Sequence, residues 1–171
     1  MKSIKTLFAV SLFALGHAFS VNAQSVLKGH DTYQPIDINA ERLEMKQKQG
    51  RAIFKGAVKV KQGKMTLSAE TLTVFYDIEG DGKKPSISRL DAQGQVSIVS
   101  ETESLSGDWG VYDVERRLIT IGGNVTFQQG DSKLQGRRLE FDLISGVAKL
   151  DGEEGTTNDR VKGSFAVPEQ Q

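Results

Sequence analysis

The residues that could do chemistry in this chain are few and poorly grouped. Among 171 residues there is no cysteine, and the two histidines are His17, in an apolar N-terminal run, and His30, in a polar stretch. Imidazole relays, thiolate nucleophiles and Cys/His metal clusters therefore lack material. Serines and aspartates are scattered over outward positions and loops, and no G-x-S-x-G occurs. Asp77-Ile78-Glu79-Gly80-Asp81-Gly82 has the spacing of half a calcium loop. Its twelfth position, however, is Ser88 rather than glutamate and no helix flanks it, so a solvated hairpin insertion is the better reading. Arg116-Arg117 and Arg137-Arg138 offer the forked donors that grip phosphate, although such pairs are ordinarily solvated. The expectation is a binding protein, with no enzymatic site, no cofactor and no metal.

The elements that would carry a binding surface repeat. Ala52–Val60, Arg89–Val99 and Leu118–Gly130 are strand patterns centred on Gly56, Gly94 and Gly123, and 13 residues beyond each glycine stands a small residue: Ala69, Gly107 and Gly136. With Ala40 these small markers are 29, 38 and 29 apart, so one unit carries nine extra residues within about 77–86. Such self-similarity means that one unit, too small to bury its own apolar face, is stacked about four times. The fourth unit keeps Ala148, Leu150 and Gly152 but puts Glu154 and Thr156 inward, as a terminal repeat would.

Around each glycine the positions two and four residues away are apolar, and the intervening ones are mostly polar. A two-residue period of this kind puts one face of an antiparallel sheet inward and the other in water. Past the small marker the parity shifts by one, as Leu67, Ala69, Leu72 and Val74 show, which requires a bulge or a corner there. No ten-residue window beyond the N-terminal run keeps a helical period.

Met1-Lys2-Ser3-Ile4-Lys5 followed by the apolar Leu7–Phe19 and the small-x-small Val21-Asn22-Ala23 reads as a cleaved secretory signal peptide, residues 1–23. No cysteine follows it to carry a lipid anchor. The remainder, residues 24–171, is about two charges acidic, which argues against non-specific nucleic-acid binding. Its division would be a mobile leader, 24–34; one domain, 35–168, standing without disulfides; and a tail, 169–171.

The signal segment, QPIDINAERLEM, RAIFKGAVKVKQG, MTLSAETLTV and the recurring GGNVTFQQG and LQGRRLEFD resemble the OstA-like domain family of LptA-type periplasmic lipopolysaccharide transport. The resemblance runs from about Gln34 to Pro168. It implies an all-β, single-domain incomplete β-jellyroll of antiparallel strands, with lipopolysaccharide as ligand, its lipid A acyl chains inside. The partners implied are inner-membrane LptC, outer-membrane LptD and further copies stacked head to tail; the place is the periplasm. The inward positions would line the groove: Ile36 and Ile38; Phe54, Val58 and Val60; Leu72 and Val74; Val96 and Ile98; Tyr112; Ile121, Val125 and Phe127; Leu139 and Phe141. Each methylene sheltered there contributes roughly 0.8 kcal/mol. The assembly edges would be Pro35, Ile36, Asp37 and Ile38 at one end and Val161, Gly163, Phe165 and Val167 at the other, since an unclosed sheet leaves unpaired backbone groups. The alternative is a secreted β-repeat module with a solid interior that binds protein or polysaccharide on its outer face.

Overall fold

Alternation at a two-residue period produces strands almost everywhere it occurs. The computed structural model describes residues 30–77, 86–152 and 160–166; the signal segment, the insertion at 78–85 and Val167 lie outside them. Among the described residues there is no α-helix. The strands are β1 (Asp37–Asn39), β2 (Arg42–Lys46), β3 (Arg51–Gln62), β4 (Met65–Asp77), β5 (Ser86–Val99), β6 (Glu103–Asp113), β7 (Leu118–Gln129), β8 (Ser132–Asp142), β9 (Ala148–Asp151) and β10 (Lys162–Ser164), with a 3-10 turn at Gln47–Gln49. They form one antiparallel meander. Strands β1 and β2 share the first edge on β3, and β9 and β10 share the last on β8. The sheet does not close on itself, which makes it an incomplete β-jellyroll.

Each long strand bends at mid-length, and the repeating glycines show why. Between the pairs Lys55↔Thr71 and Val58↔Ala69, β3 carries Gly56 and Ala57 while β4 carries Glu70 alone. The same excess recurs at Gly94-Gln95 opposite Asp108 and at Gly123-Asn124 opposite Arg137. The parity shift expected at the small markers is therefore made by an extra residue in the facing glycine strand. Gly56, Gly94 and Gly123 have φ of 82°, 79° and 97°. That left-handed region suits glycine as the first residue of such a bulge. No side chain has room there: a Cβ on Gly94 would stand 2.5 Å from the Glu70 carboxylate, and Glu41 and Asp108 cover Gly56 and Gly123 in the same way.

The line of bulges divides the sheet into two limbs. One holds β1, the second halves of β3, β5 and β7, the first halves of β4, β6 and β8, and β10. The other holds β2, the complementary halves and β9. Their inner faces share one hydrophobic core, with Val58, Leu67, Val96, Leu105 and Val125 from the first limb and Leu72, Ala92, Ile119, Ile121, Leu139 and Phe141 from the second. Burying each of the larger side chains stabilises the fold by about 1.5–3 kcal/mol.

Beyond the bulges, β4 and β5 stay paired up to Asp77↔Ser86. The last strand is short: among the described residues only Lys162–Ser164 reach the β8 ladder, at Gln135, Leu134 and Lys133.

Candidate functional site

The inner face is not filled evenly. At its N-terminal edge the second limb opens into an apolar pocket of about 580 Å³, lined by Ile38, Met45, Gln47, Ala52, Phe54, Val74, Tyr76 and Ile87. The opening follows from the edge. Leu43 and Met45 of β2 oppose Phe54 and Ala52, so they sit on the inner parity, yet both remain about half exposed because no strand lies beyond them among the described residues. The rim is fixed by Gly50, at φ 59°. The Tyr76 N–H donates to the Gly50 carbonyl at 2.9 Å, and a Cβ on Gly50 would stand 2.4 Å from the Tyr76 carbonyl oxygen. The Tyr76 hydroxyl is shielded from water and has no hydrogen-bond partner, as is the Tyr112 hydroxyl. An apolar concavity holding a small number of polar groups is the ordinary form of a small-molecule or lipid site.

The first limb is covered at the same edge by the chain that precedes β1. Gln62 lies on the inward parity after Val58 and Val60 and is buried. Its side-chain amide donates to the carbonyls of Thr32 and Gln34, 3.0 Å each, while its oxygen lies 3.0 Å from His30 Nε2. Tyr33 reaches the β6–β7 turn, where the Arg117 guanidinium stacks 4.9 Å from its ring centre and donates to its hydroxyl. Residues 30–34 of the expected leader thus form a strap from one limb to the other. A small apolar gap, about 20 Å³, is walled by Ile36, Val60, Met65, Leu90, Ile98 and Tyr112. Burial pushes the Tyr112 phenol up, and Arg117 partly offsets this.

Of the fifteen positions expected to line a groove, Ile38, Phe54 and Val74 face the large pocket. Ile36, Val60, Ile98 and Tyr112 meet at the small gap. Val58, Leu72, Val96, Ile121, Val125, Leu139 and Phe141 are packed into the core, and Phe127 is partly buried against it. Sequence reasoning missed Met45, Gln47, Ala52, Tyr76 and Ile87 as pocket lining; the alternation of Leu43 and Met45 in RLEM was the available signal.

Of the expected edge residues, Asp37 and Ile38 lie in β1, just after Pro35 and Ile36, and Gly163 lies in β10; Val161 and Phe165 flank it, both exposed. Neither edge strand has a second neighbour among the described residues. The arginine pairs do not act as pairs. Arg116 lies 3.7 Å from Asp113, Arg117 holds Tyr33, Arg138 donates to Glu140 at 2.6 Å, and Arg137 donates to the Asn124 oxygen at 3.4 Å. No group of three acidic or histidine ligands occurs among the described residues.

Comparison with known proteins finds the same architecture. The family model described as LptA/(LptD N-terminal domain) LPS transport protein matches residues 37–147. A protein of Rhizobium meliloti (strain 1021) is 32% identical over 142 residues, covering 81% of this chain and 75% of its own length. The lipopolysaccharide export system protein LptH of Pseudomonas aeruginosa is 28% identical over 123 residues, covering 54% of this chain and 70% of that protein. The crystal structure of LptH, described as the LptA homologous periplasmic component of the lipopolysaccharide transport device, superposes with a TM-score of 0.69 at 19% identity, covering 81% of this chain and 99% of that one.

Proposed function

This chain belongs to the LptA/(LptD N-terminal domain) lipopolysaccharide-transport family, and we propose that it is a periplasmic lipopolysaccharide-binding member, exported by residues 1–23. In this reading, acyl chains enter the open N-terminal end of the inner face, and head-to-tail copies bridge inner-membrane LptC and outer-membrane LptD. The observation that carries it is the apolar pocket of about 580 Å³, open beside an edge strand. Acyl chains entering there are sheltered by Phe54, Val74, Tyr76 and Ile87, and the neighbouring edge offers backbone donors and acceptors for strand addition. About six sheltered methylenes contribute roughly 5 kcal/mol before ordering costs. The chain's inner face supplies binding alone, so movement along a bridge draws its energy from a partner.

Photocrosslinkers answer the question directly. At Ile38, Met45 and Phe54 they should capture lipopolysaccharide, and at Lys55 and Lys59, on the opposite parity, they should not. Equal capture on both faces would remove the interior-binding reading and favour the outer-face module instead. Assembly is checked separately: truncation after Asp159 should leave a folded monomer that no longer grows with concentration in light scattering.

A further inference from the structure

The fourth repeat breaks a rule that the first three keep. After the small marker, Ala40, Ala69 and Gly107 are followed by Glu41, Glu70 and Asp108, whose carboxylates cover the glycine bulge of the next strand. After Gly136 the same position holds Arg137. A carboxylate has become a guanidinium at one of four equivalent corners, and the surface around it differs from the other three.

Arg137 lines a concavity of about 190 Å³ on the outer face of the first limb, together with Arg160, Lys162, Asn124, Thr126 and Gln135. Arg160 and Lys162 come from one segment at the start of β10 and Arg137 comes from β8, so the fold adds a third cation to a pair already close in sequence. The pairing Lys162↔Gln135 sets Lys162 two residues from Arg137 across the ladder. Asn124 acts as an orienting group: its backbone and side-chain N–H groups both donate to Asp108 at 3.2 Å, and its oxygen accepts from Arg137 at 3.4 Å. One nitrogen of the guanidinium fork is thereby held toward Asn124. Asp108 lies behind Asn124 in this chain of contacts. Arg137 keeps its other contacts, and what makes the site is the convergence of Arg160 and Lys162 upon it.

We propose that this concavity is an anion site that takes a phosphate monoester. Three converging cations match the double charge and three terminal oxygens of a phosphate dianion better than a singly charged carboxylate: the Arg160 fork offers paired donors, Lys162 adds a point charge, and Arg137 adds positive charge from β8. Thr126 and Gln135 add neutral donors at the wall. The site lies on the outer parity, apart from the apolar interior, and stands whether or not the interior binds lipid. The phosphoryl group could belong to a free sugar phosphate or to a lipid headgroup, and the test separates these.

The full chain is titrated with inorganic phosphate, glucose 6-phosphate, phosphatidic acid vesicles and, as a diester control, phosphatidylglycerol vesicles, following amide signals by NMR. Saturable shifts at Asn124, Thr126 and Lys162 are expected with inorganic phosphate and glucose 6-phosphate, with a Kd on the order of 1 mM. The double variant R160Q/K162Q should weaken them roughly tenfold or more. R138Q should leave them unchanged, because Arg138 is paired with Glu140. Both exposed cations of the double variant can be neutralised without touching the core, so an unchanged melting temperature accompanies the loss. Saturable binding of phosphatidic acid alone, lost in R160Q/K162Q, keeps the phosphoryl site and assigns it a lipid headgroup. Equal binding to both kinds of vesicle with none to free monoesters, or binding that survives R160Q/K162Q, overturns the proposal.

Discussion

The two ends of the second limb are built from the same repeat and differ in what closes them. At the C-terminal end Ile119, Ile121, Leu139 and Phe141 are each only 1% exposed. The Asp142–Val147 turn folds Leu143 onto them, and β9 flanks β8. At the N-terminal end Phe54, Tyr76 and Ile87 stand around open volume, covered by a five-residue edge strand whose Leu43 and Met45 are half exposed. Parity alone decides which side chains face inward. Whether that space is core or cavity depends on the last element laid over it, so one sheet can hold a solid scaffold and an adaptable site side by side.

The largest test of this contrast compares equivalent aromatics. Phe141→Ala should lower unfolding stability by about 3–5 kcal/mol, because its cavity lies among fully packed neighbours. Phe54→Ala should cost about 1 kcal/mol, since its ring already borders a void and loses fewer contacts. Denaturant titration of both variants measures the gap. Equal losses would mean that the N-terminal pocket collapses in solution and that the two ends do not differ.

Next comes the scaffold that both ends share. Gly94→Ala combines a left-handed backbone at φ 79° with a Cβ 2.6 Å from the Glu70 carboxyl carbon, and should cost about 1–3 kcal/mol. The double variant G94A/E70A removes the steric part and should recover a portion, leaving the backbone strain. Full recovery would mean that the glycines only leave space under a carboxylate and that bulge geometry contributes nothing to the bend.

Much of this arrangement was legible in the sequence, for physical reasons that also set its limits. The inward face could be counted because a strand alternates strictly, so Val58, Val96, Ile119 and Phe141 needed no neighbours to be assigned. The bends could be placed because the parity shifts by one past each small marker, and a strand changes face only through an extra residue or a corner. The pocket was not legible, since Phe54 and Val58 share one parity and one strand, and only the shortness of β2 leaves one beside a void and the other in the core. The strap was half legible: a glutamine at the inward position after Val58 and Val60 demands buried partners, but its partners, the Thr32 and Gln34 carbonyls, lie in a stretch with no periodicity. The cationic concavity escaped because Arg137 was weighed with its sequence neighbour Arg138, whereas the fold groups it with Arg160 and Lys162.

A middle-sized effect separates the strap from the pocket it adjoins. Gln62→Leu keeps the volume of a buried side chain and removes the bonds to Thr32 and Gln34, leaving two carbonyls to water; the expected loss is about 1–2 kcal/mol, confined to residues 30–36. Hydrogen exchange should accelerate there and leave β5 to β8 protected. An equal acceleration in the core strands would show that the strap is integral to the fold rather than laid upon it.

The smallest effect concerns the turn that seals the packed end. The Asp142 carboxylate accepts N–H bonds from Ile144 at 2.8 Å and Ser145 at 3.0 Å, and the Ser145 and Ile144 amides hold its pKa below the ordinary 3.8. A carboxyl whose folded pKa is depressed favours the folded turn above its unfolded pKa, and this contribution fades as pH falls through the folded value. The group is exposed, so solvent screens the interaction and the effect on global stability is small. Between pH 7 and pH 5 the turn should be unchanged. Below about pH 3.8 the amides of Ile144 and Ser145 should lose protection before the β7–β8 ladder does. Asp142→Asn should give a much flatter acid profile at those amides, because an amide oxygen can accept the bonds but does not titrate. If the acid profile of the turn is identical in Asp142→Asn and the parent, another group closes the C-terminal end, and the packed and open ends differ for a reason other than the turn laid over Phe141.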